Sequence, residues 1–341
     1  QTGRLDVPEV CEPVKLEKVE LRTAADQPAW QFSTPAPAEA ESFRVTVPAD
    51  APATRPYYSR PNDEQPYYDI NDARYLTLPT SPYPLSAWAS IGYRGVTITL
   101  AQVVEVLQRP TNSGIVENPL VVTPPISVQV TPQAGIIPLP ATSLDLNVTV
   151  HSDAPGAAAG AVHLRLPAGW TSEPASAPFS LHSGEDEPLR VHITPHGAGA
   201  QTYAITAVAR YNGRDYEEGY HTAGYAGLRP YNFYRPAVYK ARGVDVKIAP
   251  RLNVGYVTGT GDSTAPALAS LGVGVHYLSP SDIAVGNLQA YDAIVLGIRA
   301  YAARPELRTY NGRLLNYVKN GGVLIVQFQN SEYDHDFGPY P

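Results

Sequence analysis

Thirty-four prolines, 28 of them before residue 245, and 27 glycines interrupt the apolar runs of this chain, before residue 245 every eight to fifteen residues. Punctuation that dense leaves no room for long helices and is the mark of an all-β region with many turns. Between the breaks the apolar residues alternate. Residues 14–21 read V-K-L-E-K-V-E-L and residues 95–106 read G-V-T-I-T-L-A-Q-V-V-E-V, the period-2 pattern of half-buried strands. Residues 30–32 and 43–47 add shorter candidates, and a proline- and tyrosine-rich stretch at 48–84 separates them from the later strands. The expectation for residues 1–122 is a β-sandwich-like module carrying a long insertion at 48–84.

A second all-β module is expected over 123–246. Alternating strands at 123–132 (T-P-P-I-S-V-Q-V-T-P) and 144–150 (L-D-L-N-V-T-V) are followed by short runs at 163–166, 179–181, 189–193 and 203–211. That spacing fits an immunoglobulin-like sandwich of about 100 residues. Asn212-Gly213 marks a hairpin turn, because both residues tolerate positive φ.

From residue 251 strands alternate with helices. Apolar runs at 252–257, 273–278, 293–298 and 323–328 enclose helical patterns at 265–271, 283–288 and 305–320, the last with Leu307, Leu314, Leu315 and Val318 on one side and Gly321-Gly322 as its stop. This predicts a doubly wound α/β domain of the flavodoxin or amidotransferase type over 247–341. Four strands and about three helices leave a sheet edge uncovered, so the domain is expected to be incomplete. A chain that starts at Gln1 and holds no methionine is likewise expected to be a processed product or a piece of something longer.

Composition removes several function classes. A net charge of −7 with scarce, unclustered lysine argues against nucleic acid as a partner. No run approaches the roughly 20 apolar residues of a membrane-spanning helix. Cys11 is the only cysteine, which excludes an internal disulfide, a cysteine zinc cluster and a Cys-x-x-Cys redox pair, while leaving the compartment open.

Three groups of segments carry a family resemblance: V-P-A-D-A-P-A-T-R-P-Y-Y-S-R-P at 47–61 with E-Q-P-Y-Y-D at 64–69; the sandwich at 123–225; and Y-D-A-I-V-L-G-I-R-A-Y at 291–301 with L-L-N-Y-V-K-N-G-G-V-L-I-V-Q-F at 314–328. Together they resemble the region downstream of the catalytic domain in large bacterial proteins of the PIG-L (LmbE-like) deacetylase family. The resemblance implies a parent with a zinc-dependent N-acetyl-sugar deacetylase domain, recognised by a His-Pro-Asp-Asp run. That run does not occur here, and Asp334-His335-Asp336 lacks its proline and paired aspartates. What the resemblance implies for this chain is therefore a non-catalytic, extracytoplasmic accessory half with no cofactor of its own. Its expected partners are an upstream catalytic domain or other modules, and carbohydrate. Homo-oligomerisation is left open. The rival expectation is a cell-surface structural or assembly protein built from stacked sandwiches.

The candidate residues each have a plainer reading. An amidotransferase-like elbow would need a cysteine after the 323–326 strand, where Gln327 and Phe328 stand instead. Gly259-Thr260-Gly261-Asp262 follows a strand and precedes a helix, a context in which amides hold anions, but a tight turn capped by Asp262 or Ser263 looks the same. Arg299 and Tyr301 follow the next strand, at the edge where open α/β sheets place ligands. The eight histidines show no metal-ligand spacing, although His192 could neighbour His163 or His182 across strands. The most unusual stretch is 55–69, where Arg55, Tyr57, Tyr58, Arg60, Tyr67, Tyr68 and Asp69 interleave aromatic faces with planar hydrogen-bonding groups. Sugar recognition and protein interfaces both use that mixture. A loop pinned to a neighbouring module by its tyrosines and Arg-carboxylate pairs would use it too.

Overall fold

The structure is a computed structural model describing residues 15–33, 42–60, 65–78, 81–108, 114–224, 228–330, 333 and 336–338. Its best-packed unit is a two-sheet sandwich. One sheet holds Ile126–Thr131, Leu144–Ser152, Asp186–Thr194 and Thr171–Glu173 in that order, all antiparallel. The other runs Ala134–Pro138, Val238–Val244, Thr202–Tyr211, Ala158–Arg165, Ser176–Leu181, with only the first pair parallel. Strand alternation decides what lies between them. Leu146, Val148 and Val150 turn inward from one strand, beside Val128 and Ile193, and meet Val162, Ile205, Tyr239 and Ala241 from the facing sheet. Each large side chain buried this way contributes roughly 1.5–3 kcal/mol. Trp170 packs on Tyr203 with ring centroids 4.7 Å apart.

Asn212 and Gly213, at φ 49° and 75°, turn Thr202–Tyr211 back into Arg214–Tyr216. The chain then leaves the sandwich as a separate two-stranded ribbon, Glu218–Ala223 against Tyr231–Pro236, before rejoining it at Val238–Val244. The Tyr220 hydroxyl anchors the ribbon by donating to Asp153 Oδ2 at 2.6 Å, and the His151 ring bridges Asp153 and Asp186 behind it.

The region before residue 122 departs from the expected first sandwich. Lys15–Thr23, Leu85–Tyr93 and Val96–Val103 form one three-stranded antiparallel sheet, and Gln31–Ser33 with Arg44–Thr46, Tyr58–Ser59 with Asp69–Ile70, and Glu105–Gln108 with Val116–Pro119 form two-stranded ribbons. Among the described residues no second sheet covers the apolar face. Val96, Ile98 and Leu100 stay 61%, 47% and 54% exposed, and only Trp30, Tyr83 and Leu85 of the large apolar side chains are buried. Period-2 alternation predicts half-buried strands here, but residues 96–102 are exposed on both faces; the pattern carries no information on what will cover either one.

The C-terminal part is a four-stranded parallel sheet in the order Gly274–Tyr277, Asn253–Val257, Ala293–Leu296, Val323–Val326. Helix α1 (Thr264–Ser270) lies on the face of Val254, Tyr256 and Val295. Helix α2 (Pro280–Val285), the short α3 (Ala300–Ala303) and α4 (Pro305–Lys319) serve the face of Val257, Ile294 and Leu296. Ser279 and Asp282 close a capping box at the start of α2. In α4 the buried side chains are Leu307, Leu314 and Tyr317, while Val318 faces solvent, correcting the expected apolar side. Tyr317 wins because its ring buries more area, its hydroxyl reaches the Tyr291 carbonyl at 3.1 Å, and Gly322 leaves the space: a Cβ there would overlap the ring. No helix among the described residues is long and apolar enough to cross a membrane.

Candidate functional site

The described residues of the 55–69 stretch lie against the strands Glu218–Ala223 and Tyr231–Pro236, so the site is built where the first region meets the sandwich's outlying hairpin. Arg55 makes the main link. Its two terminal nitrogens donate to both Glu218 carboxylate oxygens, and its guanidinium carbon sits 3.9 Å from the centre of the Tyr234 ring. Thr54 fixes the approach, its amide donating to the Val122 carbonyl at 2.8 Å and its hydroxyl accepting from the Val122 amide at 2.9 Å. Tyr58 and Ser59 then pair with Ile70 and Asp69, closing the loop into a small ribbon held by Asn71, whose amide donates to the Tyr57 carbonyl at 2.7 Å.

This arrangement encloses a cleft of about 290 Å³. From the loop side Arg55, Tyr58, Arg60, Tyr68 and Asn71 line it; from the hairpin come His221, Phe233, Tyr234 and Arg235. Tyr58 packs edge-on against Tyr57 and Tyr68, both at 5.3 Å, and tilts towards Phe233 at 6.3 Å. His221 stacks on Phe233 at 5.7 Å. Burial raises the Tyr58 phenol above its usual range and pushes Tyr234 up to about 12, so the neutral form of both phenols is favoured.

Four of the seven candidates, Arg55, Tyr58, Arg60 and Tyr68, therefore line one cleft. Tyr57 lies behind it, its hydroxyl donating to the Leu78 carbonyl at 2.9 Å. Tyr67 is exposed and Asp69 is taken up in the small ribbon, and neither lines the cleft. Sequence reading missed the hairpin half. Its signal was compositional: Y-N-F-Y-R-P at 231–236 repeats the aromatic, arginine and proline mixture of R-P-Y-Y at 55–58.

The α/β loops are closed in a different way. The strand order places the topological switch point between Asn253–Val257 and Ala293–Leu296, where open α/β sheets leave a crevice. Asp262 fills it. Its carboxylate accepts from the Tyr256 hydroxyl, from the Thr264 amide at 3.0 Å and from the Ile298 amide at 3.3 Å. Burial opposes ionisation, but these donors outweigh it and hold the carboxyl below its ordinary range. The Thr260 amide donates to the Ile298 carbonyl at 2.9 Å, Gly261 takes φ +103°, and a Cβ on Gly259 would overlap the Ile298 carbonyl oxygen. The Thr264 and Ile298 amides at this crevice are thus engaged by the chain's own carboxylate. Tyr301 is 4% exposed and its hydroxyl donates to Asn311 Oδ1 at 2.6 Å, placing it in the core. Arg299 is exposed, at φ 53°, with its guanidinium 5.8 Å from the Phe328 ring. At the elbow position Gln327 donates from its side chain to Thr264 Oγ1 at 2.6 Å.

His192 pairs with Asp145 at 2.8 Å on the sheet opposite His163, and does not meet His163 or His182. Among the described residues no three His, Cys, Asp or Glu side chains are grouped to hold a metal. Cys11, Asp334 and His335 lie outside the described residues. A second hollow of about 470 Å³ is bordered by Asp215, Glu217 and Glu218, and each of these carboxylates is already matched, to Arg210, Arg165 and Arg55.

Residues 141–212, most of the sandwich, match a protein family described as the NPCBM-associated NEW3 domain of alpha-galactosidase. No curated protein matches the chain. Among solved structures, alpha-2-macroglobulin of E. coli is similar over 47% of this chain and 8% of its own, at 13% identity and TM-score 0.25. A family 123 glycoside hydrolase from Clostridium perfringens is similar over 51% of this chain and 38% of its own, at 8% identity and TM-score 0.22. An exo-beta-D-glucosaminidase is similar over 69% and 27%, at 14% identity and TM-score 0.22.

Proposed function

We propose that this chain is a non-catalytic accessory region of a carbohydrate-active enzyme, in which the sandwich and its hairpin position the enzyme or bind carbohydrate. The observation that carries the reading is the NEW3 match over residues 141–212, the segment that forms the sandwich and delivers the chain to the hairpin. The parent is proposed to be a PIG-L-type N-acetyl-sugar deacetylase with its zinc in a separate catalytic domain, acting outside the cytoplasm. Support for that finer step is the segment resemblance at 47–69, 291–301 and 314–328. The parallel sheet is read as amidotransferase-like, with Gln327 and Phe328 at the elbow supplying no nucleophile.

The test uses the full chain. Affinity electrophoresis through gels containing N-acetylated and other polysaccharides is expected to show retardation, and acetate release from N-acetyl sugars with zinc supplied is expected to be nil. Sustained turnover through repeated purification overturns the non-catalytic reading, and migration unchanged by every polysaccharide overturns the carbohydrate reading.

The uncovered face of Val96, Ile98 and Leu100 favours a second reading, a cell-surface assembly protein that stacks through this sheet. Sedimentation separates the two. A monomer or small oligomer fits the accessory region; large assemblies that dissolve in an Ile98→Lys variant establish the alternative.

A further inference from the structure

We infer that the cleft formed by Tyr58, Tyr68 and Asn71 with His221 and Phe233 of the hairpin binds a single pyranose ring through its C–H face and its hydroxyls; this rests on the carbohydrate reading above and names its site and mode of recognition. The size suits one ring. A cleft of about 290 Å³ lies at the small end of ligand pockets, which run from roughly 300 to 1,000 Å³. Aromatic rings stand on both sides of it. Tyr68 meets Tyr58 edge-on, with centroids 5.3 Å apart and planes at 80°, and an edge-on pair covers at most one of its four ring faces. Tyr68 accordingly keeps 52% of its surface exposed while bordering the cleft. From the hairpin, Phe233 lies 6.3 Å from Tyr58 and carries His221 stacked on it. Aromatic faces carry partial negative charge and one face of a pyranose is a plate of C–H groups, so the two attract while both shed water.

The polar groups left free among the described lining residues match the rest of a sugar. The Tyr58 and Tyr68 hydroxyls, the His221 ring nitrogens and the Asn71 side-chain nitrogen have no hydrogen-bond partner, whereas the Asn71 side-chain oxygen already accepts from Ser59 at 2.8 Å. A phenol and a neutral imidazole each donate and accept, and the Asn71 nitrogen donates. Sugar hydroxyls do both as well, so this set can meet them in either sense. Burial favours the neutral form of Tyr58, the form that keeps both capacities. The arginines of the cleft are engaged elsewhere. Arg55 places both terminal nitrogens on Glu218 and its flat face on Tyr234, and Arg60 and Arg235 have partners of their own. Recognition by the free groups therefore calls for no charge on the ligand. Tyr58, Tyr68 and Asn71 belong to the first region, and His221 and Phe233 to the hairpin, so a bound ring bridges the two.

Titration calorimetry of the full chain with neutral oligosaccharides of glucose, galactose and N-acetylglucosamine, and with glucuronate-containing oligosaccharides, tests this. At least one neutral ligand is expected to bind, and the uronate ligands no more tightly. Tyr68→Ala is expected to weaken that binding about tenfold and His221→Ala about three- to tenfold, both with unchanged circular dichroism. Tyr68→Phe, which keeps the ring, is expected to stay within about threefold of wild type, and Tyr67→Ala, outside the cleft, to match it. Tighter binding of a uronate ligand, or neutral binding indifferent to both Tyr68→Ala and His221→Ala, overturns the assignment and leaves the carbohydrate reading standing. A loss in Tyr68→Phe as large as in Tyr68→Ala overturns the ring-face contact. Absence of binding by any glycan, charged or not, removes both the assignment and the carbohydrate reading.

Discussion

Asp262 acts as a permanently installed anion at the point where an α/β sheet would otherwise hold one. Replacing it with Asn keeps the size but removes the charge and one acceptor, leaving the Thr264 or Ile298 amide poorly matched. The α/β unit is expected to lose about 1–3 kcal/mol, read from urea unfolding followed at 222 nm, since the α-helices lie in this unit. The carboxyl is held below its unfolded value of about 3.9, so its stabilising effect is complete above that value and disappears as pH falls through the lower folded-state value. Wild type should therefore lose more stability than Asp262→Asn does as pH falls below about 3.9; identical pH profiles would assign the effect elsewhere. Gly259 is needed for close approach, and Gly259→Ala must push Ile298 away. A cost of about 1–3 kcal/mol is expected in the same unfolding experiment. The glycine and aspartate were visible in the sequence as a loop signal, but the switch from ligand site to self-filled site was not. It depends on an amide 36 residues further along the chain.

At the scale of elements, alternation was enough to place strands and to choose their inward faces in the sandwich. Ile193 illustrates this: it pairs with Leu144 in register and is fully buried. Ile193→Ala is expected to cost about 2–5 kcal/mol in thermal or urea unfolding monitored by Trp170 fluorescence, whereas truncating Arg190 on the same strand's outer face should cost well under that. A small loss at Ile193 would mean that the sheets do not pack as described. Helix α4 shows the limit of the same logic. Period 3.6 selects a side, but Tyr317 and Val318 both satisfy it, and the choice falls to the vacancy above Gly322 and the reach of a hydroxyl. The strand at 96–103 shows another limit, because its alternation is as regular as any in the sandwich and yet its apolar face remains open.

For the whole molecule the decisive contact is Arg55 with Glu218, which joins residues 163 apart in sequence. It is partly exposed, so its ionic contribution is expected to be modest, about 0.2–1 kcal/mol. The stacking of the guanidinium on Tyr234 adds about 0.5–1 kcal/mol. A double-mutant cycle of Arg55→Ala and Glu218→Ala, read from the unfolding free energy of the full chain, should give a coupling near the lower of these figures. Zero coupling, with unchanged protease sensitivity of the 48–84 segment, would mean that the loop is held to the hairpin by its tyrosines alone.

The sequence by itself determined the strand-rich first two thirds, the alternating strands that form the sandwich between residues 126 and 244, and the change to parallel α/β packing after residue 251, and it singled out the stretch at 55–69 by composition. Each follows from interactions over a few residues: turn chemistry, period 2 against period 3.6, and local composition. Only the tertiary structure decided that the described part of the first region is one open three-stranded sheet with separate two-stranded ribbons, that Asp262 closes its own crevice, and that the Tyr-Arg loop needs the 218–236 hairpin to make a cleft. Those outcomes depend on which parts the chain's path brings together, 36 residues apart at Asp262 and 163 apart at Arg55, and local periodicity is blind to that path.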